Sequence, residues 1–591
     1  MGLNSPDKIT NNEYRFDAFS NRKVLLNKKK NRLPAMGWNS WNAFGTGNNE
    51  ALTKAMADCF IKLGLDKLGY KYIILDDGCY KSKRSDDGKL MNDEVKFPSG
   101  FLALADYIHS KGLKFGMYND IGTKLCSGLE VGTCGHEKTD AASYVSWKID
   151  FLKVDNCYYL WDNATFSNPE NAKYVYAPYI KEVSVKDCDI TGQKTVGQGI
   201  VLENGTYKNI GTFDGTNTGT SPNGPRSGEI EYSINAPEKG SYTLLVKYEA
   251  GCEIGKGSWL QIALGRGKNA YYYFDDLLDS STDSKDGTLK IEIELKEGQN
   301  ILRLMNHRRQ ENPLCSYAAM LEGLNEANPD NEIILSLCEW GKTQPQNWGY
   351  KVADSWRILN DITFRVGSDG DAGYGQWSDP GTPSVTSQYN KAVVMDEYAG
   401  LDKGWNDPDM LMIGMKGLTP VMNQSHFTMW CMMNAPLLLG LDLRRVEVGD
   451  EIYKIIANKD LIDLNQDKLG IQAKRIYTSA NIDESLGESA DKKYITDNER
   501  FDILAKPLAD GSLALSVFNL SQENPSSEFI LKSALIKQKL GAKCPLAFDG
   551  ASKFIVKNLW TGKLEEVKGE EFILPSLEPC GNFTVKISPA E

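Results

Sequence analysis

Histidine is scarce in this chain, which has only four among its 591 residues. None of the four stands in an HExxH pair, the arrangement by which many zinc hydrolases hold their metal. No serine or cysteine stands in an elbow motif with a histidine partner, which argues against a Ser–His or Cys–His nucleophile. Glycine-rich dinucleotide loops are missing as well, since the first predicted strand carries Met36-Gly37-Trp38-Asn39 in their place.

An excess of positive charge is also lacking. The 67 lysines and arginines are outnumbered by 79 aspartates and glutamates, which gives a net charge of -12. Such a surface repels phosphate backbones, and the densest basic stretch, Arg22 to Arg32, is interpreted as a solvated arm. No apolar run reaches the roughly 18 residues that a membrane helix needs. We therefore expect neither a nucleic-acid partner nor a membrane span, and the sequence leaves the oligomeric state open.

Pairs of cysteines in CxxC spacing are absent, although the chain has 12 cysteines. Scattered cysteines predict a few disulfides or buried thiols rather than a disulfide scaffold. The first six residues lack the apolar core of a signal peptide, which decides little because a leader can be removed. Sequons favour a secreted glycoprotein, and we expect an extracellular or secretory-pathway location. The five Asn-x-Ser/Thr sequons begin at Asn163, Asn204, Asn423, Asn519 and Asn582.

Strand and helix patterns alternate in two separate parts of the chain, which indicates a parallel α/β sheet. Eight strands are predicted, four in each part, as an eight-fold (β/α)8 TIM barrel requires. The alternative is two separate α/β domains. The predicted strands are Pro34–Asn39, Tyr72–Leu75, Phe115–Tyr118, Phe151–Val154, Ile333–Leu337, Ser355–Ile362, Leu411–Ile413 and Pro436–Leu439. The barrel is then formed by residues 1–177 and 316–468.

Two other parts of the chain alternate with the period of two that is typical of antiparallel strands. Residues 178–315 contain hairpin patterns such as Gly240 to Tyr248 and Thr288 to Leu295, which predict an inserted β-sandwich. Residues 469–591 contain similar runs and predict a C-terminal antiparallel β-sandwich domain. The chain is therefore expected to have a barrel interrupted by one sandwich and followed by another.

Acidic residues follow nearly every predicted barrel strand. Catalytic residues of such barrels lie at the carboxyl ends of the strands, so these acids should meet at one mouth. An all-oxygen magnesium site is one explanation, but such sites usually serve phosphates and the chain has no phosphate loop. We therefore expect no metal and no cofactor, and glycoside hydrolysis by a pair of carboxylates remains. The acids are Asp76, Asp77, Asp120, Asp155, Glu339, Asp361, Asp407 and Asp409.

Six ordered motifs resemble the signature of α-galactosidases of glycoside hydrolase family 27. The similarity covers roughly Leu33–Asn163 and Ser316–Glu591. The inserted segment, in hairpins such as Ala236–Leu244 and Lys296–Leu304, looks like family 35 carbohydrate-binding modules; a structural insert that shapes the rim is the alternative. The six motifs are Met36–Asn42, Leu75–Asp77, Lys153–Cys157, Cys338–Gly341, Ser355–Asp361 and Gly404–Met410.

This resemblance implies a retaining exo-glycosidase that removes terminal α-D-galactose from oligo- or polysaccharides. Asp155 corresponds to the family's nucleophile and Asp361 to its general acid/base. Lys153 lies on the same strand face as Asp155, where its charge should lower the pKa of that carboxyl. Arg357 belongs to the segment that carries the acid/base.

The resemblance also implies a sugar pocket. Asp76 and Asp77 should hold the 4- and 6-hydroxyls, and Trp41 should form a stacking wall. Tyr118, Glu339 and Asp409 should complete the pocket, with Glu339 favouring galactose over N-acetylgalactosamine. Alternative substrates are β-L-arabinopyranosides, against which Asp77 argues, α-N-acetylgalactosaminides and isomalto-type glucans. A non-catalytic carbohydrate-binding protein is the alternative from another class.

The resemblance implies a disulfide between Cys126 and Cys157, beside the nucleophile. Two departures from the family pattern accompany the match. A second family disulfide should be absent, because Gly45–Gly47 stands where the partner of Cys79 is usually found. The loop Gly341–Asn347 also differs, which affects the region expected near the 2-hydroxyl.

Overall fold

In the computed structural model of this chain, the described residues are 31–590 except for 123, 134, 158–178, 197–200, 209–228, 250–258, 266–270, 277–285, 306–312, 342–344, 363–364, 380–382, 483–492 and 550–551. The first part of the chain forms four strands, each followed by a loop or helix. They are β1 (Met36–Asn39), β2 (Tyr72–Ile74), β3 (Lys114–Asp120) and β4 (Phe151–Asp155). Each overlaps the strand predicted for it.

Antiparallel strands then interrupt the α/β pattern, as predicted. They form two five-stranded sheets, with the orders β13-β10-β5-β8-β7 and β12-β11-β14-β9-β6. The strands are β5 (Tyr179–Val185), β6 (Asp189–Val196), β7 (Val201–Glu203), β8 (Thr206–Lys208), β9 (Glu229–Ala236), β10 (Gly240–Glu249), β11 (Trp259–Leu264), β12 (Tyr271–Asp276), β13 (Asp286–Leu295) and β14 (Gly298–Met305). Inward-facing residues such as Leu244, Val246 and Ile293 are buried.

The α/β pattern resumes with β15 (Ile334–Cys338), β16 (Ser355–Arg357), β17 (Trp405–Asp407) and β18 (Leu437–Leu439). Together with the first four strands they make one parallel sheet of order β17-β16-β15-β4-β3-β2-β1-β18. Leu411, four residues after β17, forms a parallel bridge with Leu439 of β18 and brings the two edges together. The predicted eight-stranded barrel is confirmed.

The seventh strand differs from its prediction. The sequence predicts Leu411–Ile413, whereas the strand that pairs with β16 is Trp405–Asp407, in register with Ser355–Arg357. Gly404 makes this possible: its φ is 125°, and a Cβ there would lie 2.5 Å from the carbonyl oxygen of Asp354. The sixth strand is also shorter than predicted and ends at Arg357, so that Asp361 stands in a loop.

Helices surround the sheet and connect its strands. The helix expected after β2 ends at His109, and Gly112 adopts the left-handed conformation that a helix terminus favours, with a φ of 73°. The helices of the barrel are α1 (Trp41–Phe44), α2 (Glu50–Lys62), α3 (Gly100–His109), α4 (Glu137–Ser146), α5 (Pro313–Ala327), α6 (Val385–Ala392), α7 (Pro420–Met432), α8 (Glu451–Ile456) and α9 (Lys459–Asn465), while α10 (Ser533–Leu540) lies in the C-terminal part.

The C-terminal part is antiparallel, as predicted. A six-stranded sheet of order β19-β20-β21-β26-β23-β24 is accompanied by the pair β22-β25. Polar contacts join it to the barrel: the Trp377 indole donates to the Leu520 carbonyl at 3.0 Å, and the Ser425 hydroxyl to the Cys580 carbonyl at 2.6 Å. The strands are β19 (Lys474–Thr478), β20 (Phe501–Pro507), β21 (Leu513–Asn519), β22 (Phe529–Lys532), β23 (Lys553–Asn558), β24 (Leu564–Lys568), β25 (Glu571–Leu574) and β26 (Asn582–Pro589).

Two of the five sequons do not present an accessible asparagine. Asn423 and Asn519 are buried, and the amide of Asn519 donates hydrogen bonds to the carbonyls of Asn524 and Glu578. Asn204 lies in an exposed turn, and Asn163 lies outside the described residues. Among the described helices, none combines the length and apolar character that crossing a membrane requires.

Candidate active site

A pocket of about 310 Å³ opens at the carboxyl ends of the barrel strands. Below it, Ile74, Phe151, Ile334, Met410 and Leu438 form a small apolar cluster inside the barrel. The pocket contains nine of the ten residues that the sequence assigns to the site, and two that it does not, Cys126 and Met410. Its lining residues are Trp41, Asp76, Asp77, Tyr118, Cys126, Lys153, Asp155, Arg357, Asp361, Asp409 and Met410.

Strand geometry explains why side chains far apart in sequence meet here. Lys153 and Asp155 are two residues apart on β4, so they face the same side of the sheet. On neighbouring strands, Lys153 is in register with Tyr118 and Asp155 with Cys338. One strand thus places a cation and a carboxylate next to an aromatic hydroxyl and a buried thiol.

Asp155 is buried, with 5% of its surface exposed. Its Oδ2 accepts a hydrogen bond from the Tyr118 hydroxyl at 3.0 Å, and its Oδ1 accepts one from the Asn156 backbone N–H at 2.8 Å. Burial raises the pKa of Asp155 to about 6; Lys153 opposes this rise and Asp361 adds to it. Lys153 therefore acts in the predicted direction, but burial has the larger effect.

Lys153 makes its ion pair with Asp76, whose Oδ2 lies 2.8 Å from the ammonium nitrogen. The same oxygen accepts a hydrogen bond from the Asn39 amide at 2.8 Å. Burial lowers the pKa of Lys153, but Asp76 and the other acidic groups around it together outweigh burial and leave that pKa well above its usual value. Asn39 belongs to the first motif, but its sequence position alone did not predict this contact.

Asp77 is fully buried and is held by a residue that the sequence analysis missed. Ser127 donates its backbone N–H to Oδ2 of Asp77 at 2.6 Å and its hydroxyl to Oδ1 at 2.9 Å. Burial raises the pKa of Asp77, and the two bonds from Ser127 oppose that rise. Fifty positions separate the two residues, so no local pattern could have predicted this pair.

On the opposite side of the pocket, Arg357 contacts two carboxylates. Its Nη2 lies 2.8 Å from Oδ2 of Asp409 and 3.0 Å from Oδ1 of Asp361. Arg357 is buried, whereas the side chain of Asp361 is 46% exposed. Burial raises the pKa of Asp409; Arg357 opposes the rise and Asp361 adds to it. The two predicted catalytic acids thus differ sharply in their exposure to solvent.

Glu339 is the predicted site residue that does not reach the pocket. It follows β15 directly, is fully buried and is absent from the pocket lining. It raises the pKa of the buried Tyr317 hydroxyl, although burial is the larger cause. Glu339 therefore lies close to Tyr317, and it is the predicted site residue that the pocket lining lacks. Lys342 and Gln344, in the loop that departs from the family pattern, lie outside the described residues.

The predicted disulfide is present, and it links Cys126 to Cys157. Cys79 is buried and unpaired within the described part of the chain, in agreement with the predicted loss of the second family disulfide. In its place the two loops are joined by a lysine. The Lys96 ammonium donates to the Thr46 carbonyl at 2.8 Å and to the Gly78 carbonyl at 2.9 Å.

One group near the pocket has the composition of a metal site. Single ligand atoms of Asp120, Cys126, Asp155 and Cys157 lie within 4.8 Å of one another. The two sulfurs are bonded to each other, however, so neither can act as a thiolate ligand. Asp120 accepts backbone N–H groups from Gly122 at 2.6 Å and Cys157 at 2.5 Å. Asp120 and the disulfide therefore fit a structural role in this loop better than metal binding.

Comparisons with known proteins show the family to which the barrel and the C-terminal part are similar. The family model described as alpha galactosidase A matches residues 33–174 and 308–467, and the model described as alpha galactosidase C-terminal beta sandwich domain matches residues 498–580. Alpha-galactosidase 2 of Arabidopsis thaliana is 28% identical over 482 residues, which cover 81% of this chain and 77% of the relative. Alpha-galactosidase A of Cellvibrio japonicus is 26% identical over 563 residues, or 94% and 92% of the two chains.

A similar fold is found among solved structures. The structure of the α-galactosidase from Saccharomyces cerevisiae with raffinose has a TM-score of 0.58 and 21% sequence identity, over 94% of this chain and 98% of that chain. At this identity, the similarity demonstrates a shared fold.

Proposed function

The chain belongs to the alpha galactosidase A family and is a glycoside hydrolase that acts on terminal α-galactosides, and we propose that Asp155 is its nucleophile and Asp361 its general acid/base. The observation that carries the proposal is the pairing of a buried and an exposed carboxyl in one pocket. A retaining glycosidase needs one carboxylate to form the glycosyl-enzyme bond and another to exchange protons with the departing oxygen and with water.

Asp155 is suited to attack because its position is fixed. Hydrogen bonds from Tyr118 and Asn156 hold its two oxygens. They also stabilise the carboxylate form, which is the form that bonds to the anomeric carbon. Asp361 is suited to proton exchange because nearly half of its side chain is exposed while Arg357 holds one oxygen. Water can thus reach the second acid more readily than the first.

The galactosyl unit is proposed to bind between Trp41 and the acidic side of the pocket. Asp76 and Asp77 would accept hydrogen bonds from neighbouring hydroxyls, and Lys153 would donate one. Their existing partners, Asn39 and Ser127, hold the carboxylates in place before the sugar arrives. A sugar that lacks the matching hydroxyl would leave buried acceptors unpaired, which costs affinity.

Galactosyl oligosaccharides of the raffinose type are the proposed substrates. A yeast relative in fold has been solved with raffinose, and the pocket is open on the side of Asp361, where the rest of the substrate would extend. No observation favours arabinopyranosides, N-acetylgalactosaminides or glucans.

Residues 178–315 are proposed to be an inserted β-sandwich domain between the barrel parts 1–177 and 316–468, followed by a C-terminal domain at 469–591. The two five-stranded sheets between Tyr179 and Met305 support the division, and the family model leaves residues 175–307 unmatched. An extracellular or secretory location is also proposed, supported by the Cys126–Cys157 disulfide.

The test combines stereochemistry with two variants. Proton NMR of the first product formed from an aryl α-galactoside should show α-galactose, and β-galactose would rule out retention. Asp155→Ala should lower turnover by at least about ten-thousand-fold. Added azide should then give β-galactosyl azide from Asp155→Ala and α-galactosyl azide from Asp361→Ala. Azide products of the opposite anomeric form would reverse the two assignments.

A panel of nitrophenyl glycosides tests the sugar. Release from the α-galactoside should exceed release from the β-L-arabinopyranoside, α-N-acetylgalactosaminide and α-glucoside. Failure to hydrolyse the α-galactoside would exclude the proposed substrate.

A further inference from the structure

Asp407 is a buried acid at the end of β17, next to the proposed catalytic machinery but not part of the pocket lining. Its Oδ1 accepts the backbone N–H of Asp409 at 2.8 Å. Asp409 has a φ of 77°, a left-handed conformation that costs energy for a residue with a Cβ. The hydrogen bond from Asp409 to Asp407 thus stabilises a strained turn at the carboxyl end of a barrel strand.

The strained turn aims the carboxylate of Asp409 at the segment that carries the acid/base. Oδ2 of Asp409 accepts the backbone N–H of Ile362 at 2.8 Å and lies 2.8 Å from Nη2 of Arg357. Oδ1 accepts the backbone N–H of Met410 at 2.7 Å. Both oxygens of Asp409 are therefore occupied by groups of the protein.

Asp361 is held from two directions by these contacts. Its own Oδ1 binds Nη2 of Arg357 at 3.0 Å, and the next residue, Ile362, is held by Asp409. Both contacts depend on where the carboxylate of Asp409 lies. The position of the Asp409 carboxylate depends on the backbone turn that Asp407 holds.

We propose that Asp407 is a positioning residue for the general acid/base, acting through Asp409 on Arg357 and on the Asp361–Ile362 backbone. The inference rests on the proposed role of Asp361. Asp407 does not line the pocket, so its role is assigned through Asp409 and not through contact with the sugar. It supplies the fixed geometry that proton transfer to the departing oxygen requires, because a catalytic acid must lie within hydrogen-bond reach of its target.

The chemical consequence is a dependence on the leaving group. A dinitrophenolate departs without protonation, whereas an alkoxide or a sugar hydroxyl needs a proton from the acid. Displacement of Asp361 should therefore slow the hydrolysis of alkyl α-galactosides and raffinose while sparing 2,4-dinitrophenyl α-galactoside. Loss of fold or of sugar binding would slow all of these substrates alike.

The experiment measures kcat/KM for 2,4-dinitrophenyl α-galactoside, methyl α-galactoside and raffinose. Asp407→Ala should lower kcat/KM for the last two by about 10- to 100-fold and change the first by less than about threefold. Asp407→Asn keeps an oxygen that can accept the Asp409 N–H, and it should regain most of the loss. Asp407→Glu displaces the acceptor and keeps the charge, so it should show the leaving-group dependence if the alanine variant does not fold.

Asp120→Ala is the matched control. Asp120 also ends a barrel strand, is buried and accepts the N–H two residues ahead, from Gly122, but it lies on the nucleophile's side. Its loss should affect all three substrates equally. Asp361→Ala shows how strongly kcat/KM depends on the leaving group when the acid itself is lost. This dependence should be larger than that of Asp407→Ala.

These variants test the role of Asp361 and the role of Asp407 separately. Asp361→Ala without leaving-group dependence would refute the proposed acid/base itself. A different result is that the effect of Asp361→Ala depends on the leaving group while Asp407→Ala and Asp407→Glu slow all three substrates alike. That result would overturn only the role of Asp407. If Asp407→Asn shows the same dependence of kcat/KM on the leaving group as Asp407→Ala, Asp407 does not act through its hydrogen bond with Asp409.

Discussion

The ammonium of Lys153 pairs with Asp76, at 2.8 Å, rather than with the proposed nucleophile two residues further along its own strand. Lys153 thus connects two functions. It neutralises a carboxylate that is proposed to bind the sugar, and its charge also lowers the pKa of Asp155 against the larger effect of burial. Loss of this one cation should therefore change both substrate binding and the pH dependence.

Lys153→Met should shift the acid limb of the kcat/KM profile to higher pH. Asp155 must be ionised to attack, and burial raises its pKa to about 6, so kcat/KM of the unmodified enzyme should fall as the pH drops through that value. Without Lys153 the pKa of Asp155 rises further, and the limb should move up by about one pH unit or more. KM should also rise, because Asp76 loses its partner.

Lys124→Met is the control for this profile. Lys124 is a partly exposed lysine in the loop after β3, and it pairs with Glu130 at 3.1 Å. Its removal should leave the acid limb in place. An unchanged limb in Lys153→Met would show that the lysine does not act on Asp155.

Much of the site could be predicted because barrel strands place their last residues at one mouth. The strand period of two places Lys153 and Asp155 on the same face of their strand. Both residues belong to one motif, and both line the pocket. The short strand Trp405–Asp407 was missed because three residues carry almost no periodic signal, while the apolar run at Leu411 resembles a strand more closely.

Long-range packing was not predictable in the same way. Nothing local distinguishes Glu339, which does not line the pocket, from Asp409, which does, since both are buried acids just past a strand. Ser127 donates hydrogen bonds to Asp77, and the Asp409 N–H donates one to Asp407. Both contacts depend on loop conformations that only the folded chain defines.

Reduction of the Cys126–Cys157 disulfide should weaken galactoside hydrolysis. Ser127, next to Cys126, supplies both hydrogen bonds to Asp77, so release of this loop should free a proposed sugar ligand. We expect kcat/KM to fall by about 10- to 100-fold, mostly through KM. Activity and free thiols should be measured together during treatment with a dithiol. A Cys126→Ser, Cys157→Ser double variant should not respond to the dithiol, and full activity after proven reduction of the bond would contradict the prediction.

Lys96→Met should loosen the sugar pocket without unfolding the barrel. Lys96 joins the carbonyls of Thr46 and Gly78, where the backbones approach so closely that a Cβ on Gly78 would lie 2.8 Å from Cα of Thr46. These loops follow the strands that present Trp41 and Asp77. We expect KM to rise by about three- to tenfold. Lys81→Met, which removes an exposed pair with Glu94 in the same region, should change KM by less than about twofold. Equal effects of the two variants would show that Lys96 has no special role.

A buried ionic cluster joins the barrel to the C-terminal domain. Asp502 is fully buried, accepts the Arg500 Nε–H at 3.1 Å and lies 3.7 Å from Nη1 of Arg475. The Tyr389 hydroxyl of the barrel donates to it at 3.1 Å. Burial opposes ionisation, but the two arginines outweigh it and lower the pKa of Asp502.

Asp502→Asn should destabilise the protein by about 3–5 kcal/mol, because it leaves two buried guanidinium groups without their counter-charge. The lowered pKa means that Asp502 adds stability above its unfolded-state pKa of about 4, and that this contribution is lost as the pH falls through the folded-state value. The difference in urea midpoint between the two proteins should therefore be large at pH 7 and shrink in acid. Glu566→Gln removes an exposed pair with Lys553 in the same domain and should cost less than about 1 kcal/mol. A midpoint for Asp502→Asn no lower than that of Glu566→Gln would show that the cluster does not stabilise the folded chain.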